Sequence, residues 1–230
     1  MKSSDRVVIA WCDPGKVDGS FAYDLIALNR ARPDRLHPAV IRAIGGGLLS
    51  RTRNQVVKAF LDTDAAWLWM VDSDHKLPVA SFDRIVEAAH EQSHPVVAGL
   101  YFAAYDVGAP YPRPVPCAYR MDDQGRFMPI DMIDPPGLHR IDGAGTGTLL
   151  VNRRVFEAMR DAVDDGLKDW CWFQDGPLGD GRWLSEDLTF CARVAESGFP
   201  IHVHTGAVFP HHKQFWQDAD TWRLWRKQDG

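Results

Sequence analysis

Five continuous apolar runs constrain this chain more than any other feature. They are RVVIAW (6–11), AWLWMVD (66–72), PVVAGLYF (95–102), GTLLV (147–151) and IHVHTGAVF (201–209). Each has strand length and lacks the polar–apolar alternation of a sheet with one wet face. Each therefore predicts a strand buried on both sides. Helical patterns separate them. One is expected over 19–30, and a second at RTRNQVVKAFLDT with Ser50 as its cap and Val56, Val57, Phe60 and Leu61 as its stripe. Ser81 is read as the cap of FDRIVEAAHEQ, a fourth helix covers 153–164, and a fifth begins after Ser185 and closes at Gly198. Strands alternating with helices predict an α/β fold, a mostly parallel sheet flanked by helices.

Two stretches break the rhythm. Residues 103–142 are crowded with prolines (GAPYPRPVPCAYR, DPPG), which predicts an irregular insertion or short antiparallel hairpins. The loop DWCWFQDGPLGDGRW (169–183) has the Gly, Asp and Trp content of a lid or binding loop. Near the end, Phe215, Ala219, Trp222 and Trp225 fall on one helical face, as in a docking helix.

At 230 residues and 45% hydrophobic, the chain can fill the core of one domain. With 26 basic against 31 acidic residues it has no bulk attraction for nucleic acid. Arg30, Arg32 and Arg35, with Arg51 and Arg53, still leave a local basic patch or a solvated helix face. Cys12, Cys117, Cys171 and Cys191 form no CxxC pair and read as free thiols of a reducing compartment. There is no signal-peptide pattern and no apolar run near the roughly 20 residues of a membrane helix, so a cytoplasmic protein without a membrane span is expected.

The chemistry begins where the second run stops, at Asp72, Ser73 and Asp74. Residues i and i+2 of a strand share a side, so the two carboxylates converge if the extended chain persists. Ligands of open α/β sheets collect at the carboxyl ends of strands, where two oxygen donors suit Mg²⁺ or Mn²⁺ and, through it, a phosphate. The alternative is a pair of solvated turn residues. Glu186 and Asp187 open a predicted helix, either as partners of its dipole or as a general base. The last strand runs into His211 and His212, which are either metal ligands or exposed imidazoles.

The order of these pieces resembles the nucleotide-sugar-dependent glycosyltransferases of the GT-A (Rossmann-like) fold. It is most similar to the family 2 group and its small bacterial or phage members. The matching segments are VVIAWCDPGKVDGSFAYDL, SRTRNQVVKAFLDTDAAWLWMVDSDHKLP, PVVAGLYF, GAGTGTLLVNRRVFEAM and SEDLTFCARVAESGFPIHVHTGAVFPHH. They run from about residue 6 to 213 in a single domain. The resemblance implies a nucleotide-binding half (1–102) and an acceptor-side half (103–230).

It further implies a Mn²⁺ or Mg²⁺ ion held by Asp72, Asp74 and His211, with His212 in reserve. Asp13, Arg53, Asn54, Asp72 and Ser73 would bind the donor, with the first turn around Trp11, Cys12 and Asp13 at the base. Gly145 and Thr146 of GAGTGT would line the acceptor side, with Trp172, Trp183 and Trp170 as aromatic candidates for its wall. The glycine-rich segment is no P-loop, because it leads into a strand and lacks GK[ST]. Asp187, with Glu186 beside it, would be the base of an inverting transfer from a UDP-sugar. The acceptor is left open among a protein, a glycan, a lipid-linked intermediate and a modified DNA base. Two rivals share the motifs, a nucleotidyltransferase and a non-catalytic sugar- or nucleotide-binding module.

Overall fold

A computed structural model describes residues 5–45, 47–105, 113–131, 135–161, 171–177 and 183–213. The elements in chain order are β1 (Val7–Asp13), α1 (Gly19–Ala31), β2 (Leu36–Ile44), α2 (Leu49–Leu61), β3 (Trp67–Val71), α3 (Val79–Ala88) and β4 (Val96–Leu100). The insertion holds β5 (Phe102–Tyr105), β6 (Arg113–Pro116), β7 (Ala118–Met121), β8 (Phe127–Pro129), β9 (Leu138–Ile141) and β10 (Gly143–Ala144). The chain continues with β11 (Thr148–Asn152), α4 (Arg153–Asp161), β12 (Gly176–Pro177), β13 (Trp183–Leu184), α5 (Glu186–Glu196) and β14 (Ile201–Val208). The expected docking helix and Trp170 lie outside the described residues.

Seven strands make the central sheet in the order β2-β1-β3-β11-β4-β14-β9. Five share one direction; β11 runs against β3 and β4, and β9 against β14. Alternate side chains of the central strands feed two cores. Val8, Ala10, Leu68, Met70, Leu149 and Val151 pack with Val57 and Phe60 of α2, Phe156 of α4 and Phe190 of α5. Val7, Ile9, Trp69, Val71 and Leu150 pack with Phe21 and Leu28 of α1 and with Phe82 and Ile85 of α3. Helices thus cover both faces, which is why β3, β4 and β11 read as unbroken apolar runs.

Several local expectations need correction. β14 alternates between buried and partly exposed residues, because His202 and His204 lie on its less buried side, with His204 lining a cleft beside α3. β2 carries no apolar run: it is the sheet edge, it alternates, and it contains Pro38, which an edge strand tolerates. Ser50 lies inside α2, whose first turn follows Leu48 with no side-chain cap. Ser81 lies inside α3 and donates its hydroxyl to the Val208 carbonyl at 2.7 Å, tying helix to strand. Ser185 holds the cap position of α5 without a side-chain cap bond. The proline-rich stretch forms antiparallel pairs, β5 with β6 and β7 with β8, as anticipated.

The reversed direction of β11 shapes the rim of the sheet. Thr148 sits opposite Val71, so β11 begins where β3 ends. That register brings Gly145, Thr146 and Gly147 to the carboxyl end of β3, beside Asp72.

Candidate active site

The carboxyl ends of β1, β2 and β3 open into a cleft of about 610 Å³. Its walls include Cys12, Asp13, Lys16, Val17, Leu48, Asp72, Ser73 and Asp74. Asp13, the last residue of β1, is buried; its Oδ1 accepts from the Gly15 amide at 2.7 Å and its Oδ2 accepts from Arg42 Nε. The Gly15 amide, with Arg42, holds the Asp13 carboxyl below the usual range. Burial pushes the Cys12 thiol up to about 12, which leaves it protonated and no nucleophile at neutral pH. Ser73 turns its carbonyl to the Asp18 amide at 3.0 Å, and Asp18 caps α1.

Arg53 is not a solvated helix charge. It is buried at the centre of three carboxylates. Its Nη1 donates to Glu186 Oε1 and to Asp187 Oδ1, and its Nη2 stands 3.6 Å from Asp72 Oδ1. Burial works against the guanidinium charge, but Asp187, Asp72 and Glu186 together hold its pKa above the ordinary value. Glu186 is pushed up to about 6, first by burial and then by the charge of Asp187. Asp187 Oδ1 also accepts from the Thr146 hydroxyl at 2.5 Å. No hydrogen bond among the described residues reaches its other oxygen.

Asp72 and Asp74 take different partners. β3 ends at Val71, and the His75 amide donates to the Asp72 carbonyl at 3.2 Å, so a turn and not an extended chain carries Asp74. Asp72 faces Arg53. Asp74 instead accepts at Oδ2 from Lys213 Nζ at 3.0 Å, with His211 Nε2 3.1 Å from the same oxygen and His75 Nδ1 3.4 Å from its Oδ1. Burial opposes its charge, but His211, His75 and Lys213 hold its pKa well below the usual carboxylate range. His211 Nδ1 donates to the Phe102 carbonyl at 2.9 Å, which fixes the ring and directs Nε2 at Asp74. The His212 ring pairs with Asp18 at 2.5 Å, while its amide donates to the Asp74 carbonyl at 2.8 Å.

Two predicted contacts turn out to be structural. The Asn54 amide bonds both main-chain groups of Phe173, at 2.8 and 2.9 Å, so it anchors residues 171–177 and does not reach the cleft. Trp172 is buried, donates Nε1 to the Phe156 carbonyl at 2.9 Å and belongs to the core, not to an acceptor wall. Trp183 is 68% exposed on β13 just before α5. Thr146 bonds Asp187, and Gly145 packs against the Tyr101 hydroxyl.

Sequence reasoning missed His75, Lys213, Arg42 and Tyr101. His75 adjoins the DSD triplet and Lys213 follows the paired histidines, so proximity to a motif was the only signal available. Arg42 lies on the unrecognised β2.

No protein-family model matches the chain, and no curated protein is similar to it in sequence. Solved structures are similar in fold. One is GalNAc-T7 with UDP, GalNAc and Mn²⁺, at TM-score 0.53 and 12% identity, covering 93% of this chain and 38% of that one. The fold is GT-A-like. A197 from STIV is also similar, at TM-score 0.50 and 16% identity, covering 91% of this chain and 86% of that one. At such identities the likeness establishes the fold alone, and the chemistry has to be argued from the side chains. Among the described residues no helix of this GT-A-like chain is long and apolar enough to cross a membrane.

Proposed function

We propose that the chain is a metal-dependent glycosyltransferase. It moves a sugar from a nucleoside diphosphate sugar, UDP being the expected nucleotide, to an acceptor hydroxyl with inversion at the anomeric carbon. One observation carries this reading. A cleft large enough for a nucleotide, at the carboxyl ends of the strands, ends at Asp74, and a buried arginine links its Asp72 wall to Asp187. The Mn²⁺ and UDP of the GalNAc-T7 structure occupy a fold of this kind and support the same assignment.

The residues divide the work. Asp13 and the turn after β1 hold the base and ribose, and Lys16 lines the same cleft as a counter-charge for phosphate. Asp74 with His211 fits a divalent cation, since a carboxylate oxygen and an oriented imidazole nitrogen already point at each other. A cation there supplies charge neutralisation for the diphosphate leaving group. Asp187 takes the acceptor proton at its free oxygen, because Thr146 and Arg53 occupy the other. Arg53 pairs with both Asp72 and Asp187 and holds the two carboxylates in place relative to each other. On this reading residues 1–102 form the donor side and 103–230 the acceptor side.

Thermal unfolding against UDP, GDP, CDP, ADP and TDP, each with and without Mn²⁺, tests the donor half. A ligand at 100 times its dissociation constant adds about 2.7 kcal/mol. The expected result is one nucleotide that stabilises only with metal present. Asp187→Asn should bind that nucleotide as the wild type does and lose hydrolysis of the matching nucleotide sugar. An Asp187→Asn variant with unchanged turnover removes the base from the mechanism, and no stabilisation by any nucleotide removes the donor site.

A further inference from the structure

We infer that the cleft between α3 and the β9 edge of the sheet is an oxyanion site. It takes a phosphate or sulfate group between the Arg84 guanidinium and the imidazoles of His90, His94 and His204. The cleft holds about 500 Å³ and shares no lining residue with the nucleotide cleft, so the inference stands apart from the transferase reading.

The fold gathers cations here and little to balance them. Residues directly opposite in a ladder share a face, so His202 with Arg140 and His204 with Leu138 make the floor. One wall is Arg84, Glu87 and Ala88 of α3. The end wall is His90, Ser93 and His94, in a turn closed by main-chain bonds between His90 and His94 at 2.9 and 3.2 Å. Arg84 Nη1 donates to the Gly206 carbonyl at 2.6 Å, and among the described residues neither Arg84 nor Arg140 has a carboxylate partner. Glu87 is the one acid among the described lining residues, and it already pairs with Arg35 at 3.0 Å.

The imidazoles are set to donate. His90 Nδ1 accepts from the Gln92 and Ser93 amides, each at 3.2 Å, so its hydrogen sits on Nε2. His94 Nδ1 donates to the Ala88 carbonyl at 3.1 Å, so protonation adds Nε2–H as a second donor. The Nδ1 atoms of His202 and His204 are enclosed without a hydrogen-bond partner, so Nε2 is the nitrogen His204 has to offer a ligand. His94 meets His202 edge-on at 4.7 Å and 81°. Burial, then the charges of His94 and Arg140 on His202 and of Arg84 and His139 on His204, keep both rings neutral. A dianion in the cleft reverses the sign of that field, and protons enter with it. Its oxygens match the guanidinium fork and the imidazole N–H groups. A metal ion fits less well, since among the described residues no three ligand atoms of this cleft lie within 4.8 Å of one another.

Sulfate is the probe, because it stays doubly charged where phosphate and histidine both titrate. The full chain is titrated with sodium sulfate at pH 5.5 and 7.5, against sodium chloride of equal ionic strength, while NMR follows the ring resonances of His90, His94 and His204. The expected result is a saturable shift of those rings, with binding about tenfold tighter at pH 5.5. Uptake of one proton sets a limit of roughly a hundredfold over that interval. Arg84→Gln removes a charge-assisted donor outside the core and should weaken sulfate about tenfold, with the unfolding temperature of the ion-free protein unchanged. Inorganic phosphate and glucose 6-phosphate, compared at pH 7.5, separate the two sources of the group. Tighter binding of the ester assigns a phosphate carried on a larger molecule, and equal or weaker binding assigns the free ion. Shifts that chloride reproduces, an affinity independent of pH, or an Arg84→Gln variant that binds sulfate normally each overturn the inference.

Discussion

Thr146 donates its hydroxyl to Asp187 Oδ1 at 2.5 Å, on the same oxygen that Arg53 holds. The contact joins the glycine-rich turn before β11 to the first turn of α5, so it depends on the reversed direction of β11. It also selects which oxygen of Asp187 has no partner among the described residues. Thr146→Val should lower turnover about tenfold, in line with loss of one hydrogen bond to a charged group, and leave nucleotide affinity unchanged. Thr146→Ser should restore most of the rate. Steady-state hydrolysis of the nucleotide sugar measures both.

Arg53→Met should be among the most destabilising substitutions in the molecule. It leaves Asp72, Glu186 and Asp187 facing one another without their shared cation. Breaking a buried ion pair from one side costs about 3–5 kcal/mol. Urea denaturation of the variant against wild type reads the loss, and a change under about 1 kcal/mol contradicts a network centred on Arg53.

The proton affinity of Glu186 gives a pH signature. Its folded pKa of about 6, set by burial and then Asp187, stands above the ordinary 4.5, so the folded state prefers the protonated acid. Its contribution to stability is present below pH 4.5 and is lost as pH rises through about 6. Stability measured across that window should fall less with rising pH in Glu186→Gln than in the wild type. Equal slopes for the two proteins would contradict the assignment.

His202 works in the opposite sense, away from the cleft on β14. Burial, then the neighbouring His94 and Arg140, bring its pKa down to about 4 from an ordinary 6.5. The stability it contributes is present above pH 6.5 and lost as pH falls toward 4, because the unfolded chain takes up the proton first. His202→Asn should blunt the acid limb of the unfolding profile, which chemical denaturation between pH 4 and 7 records.

Gly145 is required by close approach, not by its backbone angle. A Cβ there would lie 1.9 Å from the Tyr101 hydroxyl, and Tyr101 is only 6% exposed. Gly145→Ala should cost about 1–3 kcal/mol through overpacking. Adding Tyr101→Phe, which deletes the colliding oxygen, should recover part of that cost, so the double variant will be more stable than the sum of the singles predicts. Urea denaturation of the two single variants and the double variant measures the coupling.

The fold was legible where burial imposed a pattern. β1, β3, β4, β11 and β14 each fall within a residue or two of an apolar run, and α1, α3, α4 and α5 follow from the spacing between them. β2 and β9 escaped because edge strands are half exposed and carry no continuous run. The direction of β11 was also invisible, since apolar patterning reports burial and is blind to orientation. At the site, the motifs located Asp72, Asp74, Glu186, Asp187 and His211 but not their partners. Period-two logic placed Asp72 and Asp74 on one side, and a turn after Val71 overruled it. Arg53 was read as a donor contact or a surface charge because no local rule reveals that three acids, two of them more than a hundred positions away, close over it.

β4 and β11 meet the same rim, and the Thr148 hydroxyl donates to the Gly99 carbonyl at 3.1 Å. The excursion from Tyr101 to Gly147 therefore begins and ends at one bonded gate. Between those ends β9 returns to the sheet as its edge strand beside β14, so the described part of the excursion is held both at the gate and at the far edge. Exchanging the whole excursion between gate residues would give the protein a new outer rim while the register of β3, β11 and β4 stays as it is.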